Sequence, residues 1–265
     1  MIPTNNGVEL RGAHGRVGAA ISQASARTGV DFTYLFNQAR IESSLNPNAR
    51  ARTSSATGLY QFIEQTWLGT VRRHGAEHGL DWAANAIQRG SNGRYYVADP
   101  QMRRAILDLR RNPEASAAMA AEFASDNGRY LESRLGRPAE SVDLYLAHFL
   151  GAGGAARFLR AHDANPDGAA AAVLPAAARA NRWVFYNRNG TPRSFTEIRE
   201  RFAARIGGSG GPGAVTPRRE AMPQVQVAAL ETGFAPGVVK GQPVAAANAE
   251  LARLAYLMLA GIGDE

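Results

Sequence analysis

The residues best suited to do chemistry fall in two short stretches, Ala39-Arg40-Ile41-Glu42-Ser43-Ser44-Leu45-Asn46-Pro47 and Ser55-Ala56-Thr57-Gly58-Leu59-Tyr60-Gln61-Phe62. Glu42 continues the apolar positions Phe32, Leu35 and Ala39 at helical spacing, which sets a carboxylate beside apolar side chains at the C-terminal end of a helix. Apolar neighbours and the negative end of the helix dipole both disfavour the charged form. A carboxylic acid that keeps its proton near neutral pH is what cleavage of a glycosidic bond asks of its general acid. The plain alternative is a solvated glutamate in a final helical turn. In the second stretch the spacing predicts a helix opening near Thr57 or Gly58, behind a Ser/Thr-rich turn, with Gly58 where backbone can approach a ligand closely. Gln61 then falls in its first turn, with an amide free either to bond a sugar substituent or to cap its own helix.

The elements that must position these residues read as mainly α. Helices are expected at 17–26, closed by Gly29, and from an Asp31 N-cap to about Ser44, where Pro47 forbids continuation. The third helix runs on through Phe62, Ile63 and Trp67 towards His74, and others are expected at 100–111, 113–135, 139–150, 153–161 and 194–206. No segment alternates with period two over several strands. Asn92-Gly93 and Asp126-Asn127-Gly128 read as turns. The composition changes at 206–213, a Gly-rich stretch that reads as a flexible linker. The expected organisation is a catalytic domain over 1–206, a Gly/Pro-rich disordered linker over 207–243, and a helical tail over 244–265. The tail offers a segment to dock on the catalytic domain or on a partner protein, and the sequence favours neither.

Composition narrows the classes. The chain has 265 residues, no cysteine and a net charge of +7, carried almost wholly by arginine because Lys240 is the only lysine. The absence of cysteine excludes disulfides, a thiol nucleophile and a thiolate-bound metal. A basic surface suits any polyanion, but no nucleic-acid-binding motif accompanies it. No apolar run is long enough to span a bilayer. The first residues lack the apolar core of a secretory signal. His74, Glu77 and His78 lie close together, yet a metal site at that spacing needs another ligand, and solvated residues are the expectation. Gly151-Ala152-Gly153-Gly154 lacks the lysine and the preceding strand of a phosphate loop.

Taken together, Glu42-Ser43, Asn46-Pro47, Gly58-Leu59-Tyr60-Gln61 and Thr66 resemble, in order and spacing, the lysozyme-like domain of soluble lytic transglycosylases. The resemblance is drawn over roughly residues 20 to 190. It implies a lysozyme-like fold, a peptidoglycan substrate, no cofactor or metal, and Glu42 as a single residue acting first as acid and then as base. The reaction it implies cleaves the β-1,4 bond between N-acetylmuramic acid and N-acetylglucosamine and closes a 1,6-anhydro ring. Action in the periplasm or cell wall follows, reached by a route other than a visible signal, by phage delivery, or after removal of a signal. Ser43, Gly58 and Gln61 are then expected to position the glycan. The family's third motif, Ala-Tyr-Asn-Ala-Gly, aligns with Ala147-His148-Phe149-Leu150-Gly151, so His148 stands in place of the tyrosine and Phe149 in place of the asparagine. Tyr145, one helical turn earlier, is the alternative phenol. In the cluster 181–186, Trp183 and Phe185 are expected in the core and Tyr186 on the glycan side. Two other readings stay open: a hydrolytic muramidase, which needs a second carboxylate such as Glu64 or Asp143, and a non-catalytic wall-binding or assembly protein.

Overall fold

The computed structural model describes residues 6–207 apart from Thr53; the linker beyond Gly207 and the tail helix expected over 244–265 lie outside the described residues. The described chain is mainly helical, with a single two-stranded sheet. It divides into two compact units, one ending at Asp126 and one beginning at Asn127, with the division inside a long helix.

In the first unit, α1 (Asn6–Thr28) extends the expected first helix towards the N-terminus and ends at Gly29, whose φ of 74° is the left-handed conformation that stops a helix. The Asp31 side chain accepts from the Tyr34 N–H and caps α2 (Phe32–Ser43) as expected. Tyr34, Leu35 and Ala39 form its buried face, with Arg40 exposed on the other side.

The third helix begins later than the spacing suggests. α3 (Glu64–His74) opens at Glu64, and residues 57–62 form a turn instead. The apolar spacing of Leu59, Phe62 and Ile63 mimics a helix, but Gly58 at φ 85° and Gln61 at φ 47° take left-handed conformations that a right-handed helix excludes. Trp67 of α3 is fully buried, and its indole N–H donates to the Ile106 carbonyl at 2.8 Å. Full burial of a side chain of this kind contributes about 2–3 kcal/mol.

A 3-10 turn (Gly75–His78), α4 (Asp81–Ala86), the hairpin of β1 (Gln88–Arg89) with β2 (Tyr95–Tyr96), α5 (Pro100–Asp108) and a second 3-10 turn (Leu109–Arg111) complete the run to α6 (Pro113–Leu135). In the hairpin Gln88 pairs with Tyr96 and Arg89 with Tyr95, around the expected Asn92-Gly93 turn. Asp126-Asn127-Gly128 is not a turn: it lies inside α6, with Asn127 buried.

In the second unit, α7 (Ser141–Ala164) joins the two helices expected at 139–150 and 153–161 across a kink at Gly151, whose φ of 71° and ψ of 155° are not helical. The Glu140 side chain and the Asp143 carboxylate cap its start reciprocally. Three short helices follow, α8 (Ala170–Val173), α9 (Pro175–Ala180) and α10 (Arg182–Phe185), before α11 (Phe195–Ile206), which packs along α7. Phe195 meets Phe158 edge-on at 5.0 Å, and Phe202 lies 5.0 Å from Phe149.

Candidate active site

Glu42, Ser43, Gly58 and Gln61 are brought together in the first unit by backbone chemistry. Glu42 is half-buried in the last turn of α2. Behind it the chain reverses: the Ser44 N–H donates to the Arg40 carbonyl at 3.0 Å and the Leu45 N–H to the Ala39 carbonyl at 3.3 Å. This is the nested closure that usually demands glycine after a helix. Here serine and leucine take it, at φ 54° and 63°. With Gln61 they are the only non-glycine residues at positive φ among the described residues, so this strain falls entirely on the two motif stretches. Each such residue costs about 1 kcal/mol or more and is held in place by its surroundings.

The second stretch is tied at two points, to Ser43 of the first stretch and to Ala49 just beyond it. The Ser43 hydroxyl donates within reach of both the Ala39 carbonyl, at 3.0 Å, and the Leu59 carbonyl, at 2.8 Å. The Ala49 carbonyl accepts from the Gly58 N–H at 2.8 Å and from the Gln61 side-chain amide at 3.2 Å. That amide also donates to the Gly58 carbonyl at 2.7 Å, so its N–H groups serve the turn, while its buried oxygen Oε1 has no hydrogen-bond partner.

At Gly58 the close neighbour is the chain itself: an added Cβ would lie 1.8 Å from the Arg110 carbonyl oxygen.

Sequence reasoning missed Arg110. Its guanidinium is buried and donates through Nη1 to the carbonyls of Ser55, at 2.7 Å, and Phe62, at 3.0 Å, and through Nε to Leu107 at 2.9 Å. Burial lowers its pKa to about 10, which still leaves it charged at neutral pH. Its partners are main-chain carbonyls, two of them 55 and 48 residues away, which carry no side-chain signature. Next to the turn, the Ser55 hydroxyl accepts from the Glu64 N–H at 3.2 Å, and Glu64 itself is paired with Arg103 at 2.6 Å. Burial also pushes the Tyr60 phenol well above its ordinary range.

Tyr145, His148 and Tyr186 belong to the second unit. Tyr145 is buried and His148 half-buried, and their rings stack with centroids 6.0 Å apart and planes 7° apart. Tyr145 also meets Phe202 edge-on at 5.5 Å. Phe185 is fully buried as expected, whereas Trp183 is half-buried against Phe149 at 6.3 Å. Tyr186 is half-buried with the Arg182 guanidinium 4.5 Å over its ring. Below it, buried Arg193 donates to the carbonyls of Trp183 and Val184 at 2.6 and 2.7 Å. Asp143 is fully buried: it holds Arg137 at 2.6 Å and Arg199 at 3.3 Å and accepts from the Glu140 N–H.

The described residues thus form a mainly helical domain with a half-buried glutamate at a helix end, joined through the neighbouring Ser43 to a glycine-containing turn. Residues 19–147 match the family model of the transglycosylase SLT domain, which supports a soluble lytic transglycosylase assignment for that stretch. Such a domain is a glycan-cleaving module that acts on the peptidoglycan of the cell wall. The match is narrower than the span read from the motifs: it takes in Glu42, Ser43, Gly58, Gln61 and Tyr145 and ends at Ala147, one residue before His148. Among the described residues no helix is long and apolar enough to cross a membrane.

Proposed function

We propose that the protein is a lytic transglycosylase that cleaves the β-1,4 bond between N-acetylmuramic acid and N-acetylglucosamine with Glu42 as its only catalytic carboxylate. The observation that carries this reading is the tie of the Glu42 helix end to the 58–61 turn through Ser43, within the family-matched stretch. Glu42 gives its proton to the leaving glycosidic oxygen as the C1–O bond breaks, and the substrate's own acetamido oxygen stabilises C1. The Glu42 carboxylate then takes the proton of the muramoyl C6 hydroxyl, whose oxygen bonds to C1 and closes the 1,6-anhydro ring. The proton lent in the first half is recovered in the second, so no water is consumed.

A hydrolytic reading needs a second carboxylate to position water. The two candidates from the sequence are engaged otherwise, Glu64 by Arg103 and Asp143 by Arg137 and Arg199, which favours the ring-closing route. Ser43, Gly58 and Gln61 serve by shaping the turn beside Glu42. Tyr145, His148 and Tyr186 are proposed as glycan-contacting rings of the second unit. No cofactor takes part in this chemistry.

The test is turnover of purified peptidoglycan by Glu42→Gln. Loss of a general acid costs about 10²–10⁴-fold in rate, and the variant keeps the wild-type melting temperature. Turnover within threefold of wild type would remove Glu42 from the mechanism.

A further inference from the structure

His74, Glu77 and His78 lack a further metal ligand when read along the chain, and the fold supplies one. The last turn of α3 and the 3-10 turn after it lie against α6, which brings Glu122 and Asp126 to the two histidines. His74 Nε2 is 2.9 Å from Asp126 Oδ2. A carboxylate only accepts, so this nitrogen carries a ring proton, and in the neutral imidazole Nδ1 then keeps its lone pair. That lone pair faces Glu122 Oε2 at 3.5 Å and Glu77 Oε1 at 3.8 Å. Nδ1 and one oxygen of each carboxylate lie within 4.8 Å of one another.

Three electron-pair donors converging on one point repel unless a proton or a cation stands between them. The outer groups are arranged for that cation. Asp126 fixes the tautomer and orientation of His74, as carboxylates do behind metal-bound histidines. His78 Nε2 lies 2.9 Å from Glu122 Oε1 and steadies that carboxylate while leaving Oε2 free to point at the others. Arg73, 3.3 Å from Asp126, offsets the Asp126 charge. Two carboxylates then remain, Glu77 and Glu122, which one dication neutralises and one extra proton on His74 does not.

We propose that His74 Nδ1, Glu122 Oε2 and Glu77 Oε1 form a binding site for a divalent cation of the zinc type, with solvent as fourth ligand. One imidazole with two carboxylates suits such an ion better than calcium, which takes six to eight oxygens. A tetrahedral ion with bonds of about 2.0–2.2 Å sets its ligands about 3.4 Å apart, and two of the three edges are already at 3.5 and 3.8 Å. The side chain that must move inwards is Glu77, which is 66% exposed and free to do so. Histidine and Glu77 come from the C-terminal end of α3 and its 3-10 extension, and Glu122 from α6, so the ion clips these elements together. Its role is structural and separate from Glu42.

The experiment is a calorimetric titration of the chelator-stripped full chain with Zn²⁺, with melting temperature followed in parallel. The proposal requires one equivalent bound and a rise in melting temperature that calcium at the same concentration does not produce. Because other histidines are present, Glu77→Gln locates the site: its exposed side chain can change without unfolding the chain, and affinity must fall at least tenfold. His74→Gln must abolish binding. Absence of binding by the wild-type chain, unchanged affinity in Glu77→Gln, or an equal response to calcium would each overturn the assignment.

Discussion

Two turns of this molecule are each stapled by a buried arginine, yet they are built on different terms. Arg110 holds the turn at 55–62 and Arg193 the turn that carries Tyr186. In the first, Gly58 is pressed against the Arg110 carbonyl and Gln61 is held at positive φ. In the second, the left-handed position is Gly190, and a Cβ there would meet nothing within 4 Å. Around the first turn the geometry depends on backbone atoms in single allowed places. Around Tyr145, His148, Phe149 and Tyr186 it depends on ring packing, which tolerates exchange of one ring for another. The 55–62 turn lies within the matched span 19–147, whereas His148, Phe149 and Tyr186 lie beyond it, where the physical demands on each residue are looser.

This contrast can be broken by substitution. Gly58→Ala adds overpacking against main chain to an unfavourable φ and is expected to cost about 2–4 kcal/mol, read by denaturant unfolding, with loss of activity in step. Arg110→Met removes the donors to the Ser55, Phe62 and Leu107 carbonyls and is expected to cost about 1–3 kcal/mol. Gly190→Ala pays only for its φ of 83° and is expected to cost about 1 kcal/mol; a cost equal to that of Gly58→Ala would erase the distinction between the turns.

The smallest effect belongs to the exposed Arg16–Glu114 pair, at 2.7 Å. The hydrogen bond from Arg16 holds the Glu114 carboxyl below the ordinary 4.5. A carboxyl depressed in the folded state stabilises fully above its unfolded value and loses that contribution as pH falls through the folded one. Glu114→Gln is therefore expected to be slightly less stable than wild type at neutral pH and equally stable below the carboxylate range, as thermal melts across pH would show. High salt shrinks the neutral-pH difference, as for any exposed pair.

The legible parts of the fold are those with local causes. Asp31 as a cap, Pro47 as a stop and the 113–135 helix all follow from neighbours in the chain. The start of α3 was misplaced because Leu59, Phe62 and Ile63 keep helical spacing while Gly58 and Gln61 turn the chain away from a helix. Asp126-Asn127-Gly128 looks like a turn in isolation, but burial of Asn127 and the bond from Asp126 to His74 belong to a continuing helix. Arg110 was invisible because its partners are carbonyls, which every residue has. The pairing of His74 and His78 with Asp126 and Glu122 spans 52 and 44 residues, beyond any local pattern. Glu42 and the Gly58-Leu59-Tyr60-Gln61 stretch could be singled out because two spaced motifs agree, although their ties through Ser43 and Ala49 could not.

The most direct test of the account is the mass of the products released from purified peptidoglycan. Muropeptides one water lighter than reducing muropeptides, formed by the wild-type chain and absent with Glu42→Gln, are the result the single-carboxylate mechanism requires. Reducing ends dependent on Glu42 would contradict it and return the search to a second carboxylate that positions water.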